Sequence, residues 1–544
     1  MQHTNRPNHS GHRSSKPADL LLVNAKVLTL EPGIPAADSV AVGGETILAV
    51  GARKDVANLA GPGSKWIDCR GLVLMPGLID AHLHLLALAA ARHGLDCGPR
   101  AVSSIKELLD VVRSRAAETP TGRWIRAFGY DHLALSEGRH PTRWELDSAS
   151  SEHPVRLEHR SGHATVLNSR GLQVAEIDKE TSDPVEGVID RVDVTGEPTG
   201  LLLDAAPFLR RRLGVTADPG ELEERVASLN QTLLSHGITS VQDAGPGNDL
   251  SRWETFRRLR ESGRLDCRIT MMAGIAHLAE FREAGLSWGG GDGLRLGHAK
   301  IMLTLTTGEL QPGLEALDEM VKQCHGEGTP VAIHAVEQEA VAAAVKVLRA
   351  NPLVQAGASL LPRDRIEHCA ECPPALVSQV AETGAMVVTQ PGFIYWNGEA
   401  YRERVEASLL PHLYPGGALD QAGVPLAFGS DAPVADPNPW PAIYSAVTRA
   451  TNQGRTLPCG DAEESVHAVF GQGIAVARAL RLHTLGGAWA EGTQDRKGTI
   501  RPGKLADMVL LDIDPIRVAA AQLKDTRVIL TVLGGKIVWD AGLL

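Results

Sequence analysis

The stretch Gly77–His84, GLIDAHLH, is an apolar run that ends in two histidines separated by one residue. Side chains two positions apart on a strand leave from the same face, so His82 and His84 project together from its C-terminal end. Seven further short apolar runs follow: Gly237–Asp243, Arg268–Met272, Leu294–Met302, Thr329–Ala335, Arg363–Cys369, Ala385–Gln390 and Val424–Asp431. Amphipathic stretches separate most of them. Apolar strands alternating with helices predict an α/β fold with a parallel sheet, and eight such units predict a (β/α)8 barrel of the TIM type. One helix is expected to start at Asp218-Pro219-Gly220-Glu221, with Asp as N-cap, Pro in the first turn and Glu completing a capping box.

The two ends of the chain differ from this middle. Leu20–Leu30, Ser39–Gly51 and Trp66–Gly77, then Asp507–Asp512 and Arg527–Asp540, read as strands parted by Gly and Pro turns. Neither set can bury a sheet face alone, so both ends are expected to combine in one small composite β-sandwich. The expected division is a disordered leader over 1–19, a composite β domain over 20–76 plus 497–544, and a barrel over 77–496. A βα connection takes about 2–6 residues, so the long interval after the first strand, about 95–213, is read as an inserted subdomain.

The chain has 544 residues, 43% hydrophobic and 22% charged, a globular mix. Lys plus Arg number 54 against 65 Asp plus Glu, a net charge of −11 that argues against a nucleic-acid partner. Seven cysteines in this length fit reduced thiols and a cytoplasmic location. No apolar run reaches the ~18 residues of a membrane span, and the polar N-terminal segment lacks the apolar centre of a signal peptide. A homodimer is the commonest arrangement among soluble oligomers.

More ligand-type residues stand at strand ends: His334 in PVAIHAVE, His368 in RIEHCAEC and Asp431 in LAFGSDAP. Imidazoles and a carboxylate together suit zinc or a similar divalent ion. Ala427 and Gly429 share the face of Asp431 and are read as leaving room beneath it for ions and water. Lys300 ends the fourth run. Its ammonium cannot ligate a cation, so it is either a buried lysine paired to a carboxylate or an amine capped by CO2 as a carbamate; the residues alone leave both open.

PGLIDAHLH, GYDHLALSEGRHPTRWELD (Gly129–Asp147), SGHATVLNSRGL (Ser161–Leu172) and GEPTGLLLDAA (Gly196–Ala206) are followed by RIEHC, AFGSDAP and KGTIRPGKLADMVLLD. This series resembles the metal-dependent amidohydrolase superfamily, and within it amidohydrolase family 3, the branch that includes N-substituted formamide deformylases. The resemblance implies a barrel with a composite β domain and a binuclear centre. His82, His84 and Asp431 would hold one ion and His334 and His368 the other, with carbamylated Lys300 bridging. Zinc is the expected metal, with manganese or iron as alternatives. The implied reaction on a small-molecule substrate is hydrolysis of a non-peptide, amide-like C–N bond by a metal-bridging hydroxide. Asp431 would carry the proton to the leaving nitrogen. His163 resembles a residue that faces substrate, and Tyr130 and Trp440 are expected at the same mouth.

Two departures stand out. The branch has Asp-Gly shortly after the fourth-strand lysine, where this chain reads KIMLTLTTG, and Gly-Asp after the fifth-strand histidine, where it has Glu337-Gln338. The spacing His334-x-x-Glu337 resembles the cytosine and guanine deaminases, in which one metal and such a glutamate deaminate a cyclic amidine or nucleobase-like carbon. The plainer reading of Glu337, preferred here, is a solvated residue opening the next helix, where the dipole favours acids. A third hypothesis, a non-catalytic barrel scaffold, is disfavoured by the six intact ligand positions.

Overall fold

The computed structural model describes residues 17–34, 36–184, 187–214, 219–306, 308–353, 363–458 and 473–544. All eight apolar runs form strands: β1 (Leu78–Leu83), β2 (Ile238–Asp243), β3 (Arg268–Gly274), β4 (Leu294–Met302), β5 (Val331–Ala335), β6 (Arg365–His368), β7 (Met386–Thr389) and β8 (Leu426–Phe428). They pair in parallel in chain order. Beyond the end of β8 the backbone continues onto β1: the Asp431 N–H donates to His82 O at 2.7 Å, and the His84 N–H to Ala432 O at 2.8 Å. The fold is the expected TIM-type barrel.

β6 ends at His368, where His368 and Cys369 have φ of 70° and 49° and the chain turns left-handed. Asp431, three residues beyond the end of β8, has φ of 57° and stands in the turn at the mouth. Gly429 corrects an expectation. A Cβ there would lie 2.6 Å from His82 N, so glycine lets β8 close against the β1 backbone; the space beneath Asp431 belongs to that backbone, not to ions and water.

The barrel interior carries a buried charge network. Arg365, fully shielded, donates to both Glu367 oxygens, at 2.7 and 3.0 Å, and to Ala81 O at 2.8 Å. Apolar residues such as Leu83, Val241, Ile301, Ile333 and Phe428 pack in one cluster with the surrounding helices.

A four-stranded sheet runs in the order Thr46–Gly51, Ser39–Gly43, Ala18–Val23, Ala60–Asp68. A five-stranded sheet runs Lys26–Val27, Val73–Pro76, Met508–Leu511, Val528–Leu533, Lys536–Asp540, and thus joins both chain ends. Leu20, Leu22, Val40, Leu74, Leu510 and Val532 share one core between these sheets. The run read as one strand over Leu20–Leu30 is two, because Asn24 has φ of 54°. Of the expected leader, 1–16 lies outside the described residues, and Ala18 and Asp19 belong to a strand.

The interval after β1 starts with a helix (Leu85–His93) and then builds its own six-stranded sheet. Its strands include Ile125–Tyr130, Val155–His159, Ala164–Leu167 and Pro198–Leu203, over separate apolar cores. It touches the barrel at the loops following the strands. Arg160 donates to Asn397 and, at 3.4 Å, to Val434 O, while the Arg100 guanidinium lies 5.0 Å from the Trp396 ring centre. The next helix spans Pro219–Ser235; its expected cap, Asp218, lies outside the described residues. Among the described residues no helix is long and apolar enough to cross a membrane.

Candidate metal centre

β1 delivers His82 from near its C-terminal end and His84 from just beyond it. Their Nε2 atoms approach Asp431 Oδ1 to 3.4 and 3.1 Å. His368 enters from β6 with its ring centre 4.9 Å from that of His82, and His334 from β5 at 4.5 Å from His368. Ligand atoms of His82, His368 and Asp431 all lie within 4.8 Å of one another. The strand ends therefore gather five of the six expected ligands around one point of the barrel mouth.

The outward nitrogen of each central imidazole is engaged. His82 Nδ1 bonds Glu367 Oε2, and His368 Nδ1 bonds Gln390 Oε1 at 2.8 Å. Because Glu367 and Gln390 oxygens only accept, Nδ1 carries the proton in both rings and Nε2 is left as a lone pair. Burial pushes His82 down to about 3 and holds His334 and His368 below the usual imidazole value. These rings are thus neutral, the form that ligates. Burial raises the Asp431 carboxyl, the hydrogen bond with His84 lowers it, and the net shift is downward, so it is ionised.

Lys300, the sixth residue, is wholly buried, and burial brings its ammonium down to about 8. Its Nζ has no hydrogen-bond partner. A buried amine without a partner costs on the order of 1–3 kcal/mol or more, so the site lacks a group that Nζ would serve. The alternative of a lysine in a hydrogen-bonded carboxylate pair is not what the structure has. Three neutral imidazoles and an ionised carboxylate are a donor set that suits a divalent ion, and the orphaned amine faces the same point. His298, on the same strand, bonds Arg363 O at 3.0 Å and stays with the barrel core.

The turn carrying Asp431 is held from behind. Asp80 accepts from the Ser430 N–H at 2.9 Å, the Ser430 hydroxyl at 2.6 Å and the His82 N–H at 3.2 Å. Its carboxyl rises to about 6 because it is buried.

The residues expected around the substrate separate. His163 reaches the site: its ring centre is 5.9 Å from that of His334, and Nδ1 bonds Asp204 Oδ1 at 2.5 Å. Tyr130 and Trp440 do not stand at an open mouth. Tyr130 is fully shielded in the core of the insertion, its hydroxyl 2.8 Å from His140 Nδ1. Trp440 is 1% exposed within the main barrel cluster. Glu337 does open the helix Gln338–Ala350 and is half-buried there: one oxygen, Oε2, is shielded and has no partner, and its charge acts on His163.

Sequence reasoning passed over Glu367, Gln390, Asp80 and Asp204. One signal was available: Arg365 and Glu367 lie two apart on an apolar strand, which places two charges on the barrel's inner face. The Asp204 contact joins distant strands of the insertion and leaves no local mark.

The amidohydrolase family profile matches residues 65–539. The chain is 28% identical to N-substituted formamide deformylase of Arthrobacter pascens, over 96% of this chain and 98% of that one. It is also 28% identical to the protein LONG AFTER FAR-RED 3 of Arabidopsis thaliana, over 95% and 91%. Among solved structures, an uncharacterised metal-dependent hydrolase of Pyrococcus horikoshii superposes with a TM-score of 0.71 at 21% identity, covering 92% of this chain and 99% of that one.

Proposed function

The chain belongs to the amidohydrolase family, and from that premise we propose how its barrel mouth cleaves a C–N bond. The protein is a metal-dependent hydrolase acting on carbon–nitrogen bonds other than peptide bonds, and its substrate is a small molecule. The observation that carries the reading is the convergence of His82, His368 and Asp431 at the strand ends, with the outer nitrogens of both rings engaged.

The proposed ligand division is His82, His84 and Asp431 for one ion and His334 and His368 for a second. Zinc is the proposed metal, with manganese or iron as alternatives. Bound there, such ions activate water and polarise the scissile carbonyl. Lys300 would complete the site as a carbamate: its neutral amine would form an N–C bond to CO2, one C=O π bond would open to a carboxylate oxygen, the amine proton would pass to water, and the product would supply an anionic ligand. Glu367 and Gln390 orient His82 and His368. Asp431 takes a proton from the attacking water on its carboxylate and returns it to the leaving nitrogen. His163, steadied by Asp204, contacts the substrate from the insertion side. An amide-like group, such as the formamide of the deformylase relative, is the proposed substrate class. A cytoplasmic setting, a homodimer and the unit boundaries 20–76 plus 497–544 and 77–496 complete the proposal.

The shielded, unpartnered Oε2 of Glu337 favours a second reading, a mononuclear deaminase of a cyclic amidine in which Glu337 moves the proton. Metal content at the barrel site, read with release of amine or ammonia from panels of formamides, amides, carbamates and cyclic amidines, tests both. About two ions with amide cleavage fits the first; one ion, ammonia release and abolition of turnover by Glu337→Gln fits the second. A barrel that binds no zinc or manganese and turns over neither panel overturns both and leaves the scaffold.

A further inference from the structure

The insertion holds a second group of ligand-type side chains, none of which belongs to the barrel mouth. Asp131 and His132 follow directly on the strand Ile125–Tyr130, and His159 ends the strand Val155–His159. The two strands pair in parallel, with Tyr130 opposite His159. That register brings His159 to the adjacent pair Asp131 and His132, 27 positions or more earlier in the sequence. All three are half-buried.

We propose that Asp131, His132 and His159 form a separate divalent-metal site of the zinc type, ligated through Asp131 Oδ1, His132 Nδ1 and His159 Nε2. The three side chains offer atoms within 4.8 Å of one another. His132 Nδ1 is 3.2 Å from His159 Nε2, and Asp131 Oδ1 is 3.7 Å from the same nitrogen. Ligands about 2.0–2.1 Å from a tetrahedral zinc ion sit roughly 3.3–3.4 Å apart, so closing on an ion needs shifts of only a few tenths of an ångström.

The surroundings orient each ligand. Arg160 Nη1 donates to Asp131 Oδ2 at 3.2 Å and the Leu133 N–H donates to Oδ1 at 3.0 Å, which leaves Oδ1 one further lone pair on the side of His159. Ser161 occupies the Nδ1 side of His159, with its Oγ at 2.8 Å and its backbone N–H at 3.1 Å. Without metal, the Nδ1 lone pair accepts from that N–H, and the Nε2 proton points at His132. Ligation through Nε2 would require the His159 proton on Nδ1, toward Ser161 Oγ, and would give up the bond from the Ser161 N–H. His140 stacks on His132 with ring centres 3.9 Å apart and is itself tied to the Tyr130 hydroxyl.

The site has a structural consequence. Arg160, next in sequence to His159, is the residue that reaches Asn397 and Val434 O on the barrel. An ion tying the two strand ends fixes the edge of the insertion that faces the mouth.

The test uses full-length protein stripped with chelator and dialysed against zinc alone. The wild type is expected to bind about one more zinc ion per chain than His132→Asn or Asp131→Asn. The same difference is expected in a His82→Asn, Asp431→Asn background, with unchanged far-ultraviolet circular dichroism. Equal zinc content with and without His132 overturns the proposal. Should those variants fail to fold, wild-type crystals grown with zinc decide it: an anomalous peak between His132 and His159 supports the site, and peaks at the barrel alone overturn it.

Discussion

The barrel mouth and the edge of the insertion offer the same ligand chemistry, imidazoles with one aspartate, in opposite settings. His82 and His368 are almost wholly buried, and their outer nitrogens are met by Glu367 and Gln390, side chains projecting from or next to barrel strands. His132 and His159 are half-buried, and His159 is steadied by the adjacent Ser161 of its own loop. Ligands backed by strands start in place, and little ordering remains to be done on binding. Ligands backed by a loop lose more freedom and stay open to water. This contrast supports the proposed division, chemistry at the barrel mouth and a structural ion at the insertion.

The comparison breaks first at Asp431. Replacement by Asn is expected to lower turnover by on the order of 10²–10⁴-fold, as loss of a proton carrier does, with the circular dichroism unchanged; turnover near that of wild type would remove Asp431 from the proton path. Glu367→Gln attacks the backing instead of the ligand. It frees His82 and strands the buried Arg365 charge. Zinc affinity should fall by about 10–100-fold, and urea unfolding should show a loss of about 3–5 kcal/mol. A variant as stable as wild type would mean that Arg365 finds another acceptor. Gln390→Leu removes only the neutral partner of His368, so about a tenfold loss of zinc affinity is expected, measured by competition with a chromogenic chelator. The smallest effect belongs to the insertion. Tyr130→Phe deletes the bond to His140 and should cost about 1 kcal/mol in urea unfolding; a tenfold fall in kcat/KM would instead return Tyr130 to the substrate's surroundings.

Much of the barrel is legible in the chain itself. Each of its strands coincides with an apolar run, because a strand buried on both faces has little choice but Val, Ile, Leu and Ala. The His82–His84 pair can be read because period two is a local rule. Strand ends are less legible: the chain turns left-handed at His368 and Cys369, and the run that ends at Asp431 extends three residues beyond β8, which side-chain type alone does not report. Trp440 shows the same limit from another direction. An aromatic beside a strand end reads equally well as a pocket wall or as packing, and only its burial separates the two.

The sequence by itself determined the order of strands and helices, the composite sheet from both chain ends and the residue types at the barrel mouth. Periodicity and motif order are properties of neighbouring positions. Tertiary structure decided what stands behind those residues: Glu367 against His82, Gln390 against His368, Asp204 against His163, and an orphaned amine on Lys300. It also brought Asp131 and His132 to His159. These are contacts between segments far apart in the chain, set by the closing of the barrel and the register of the inserted sheet, and a linear pattern carries no distance between such segments.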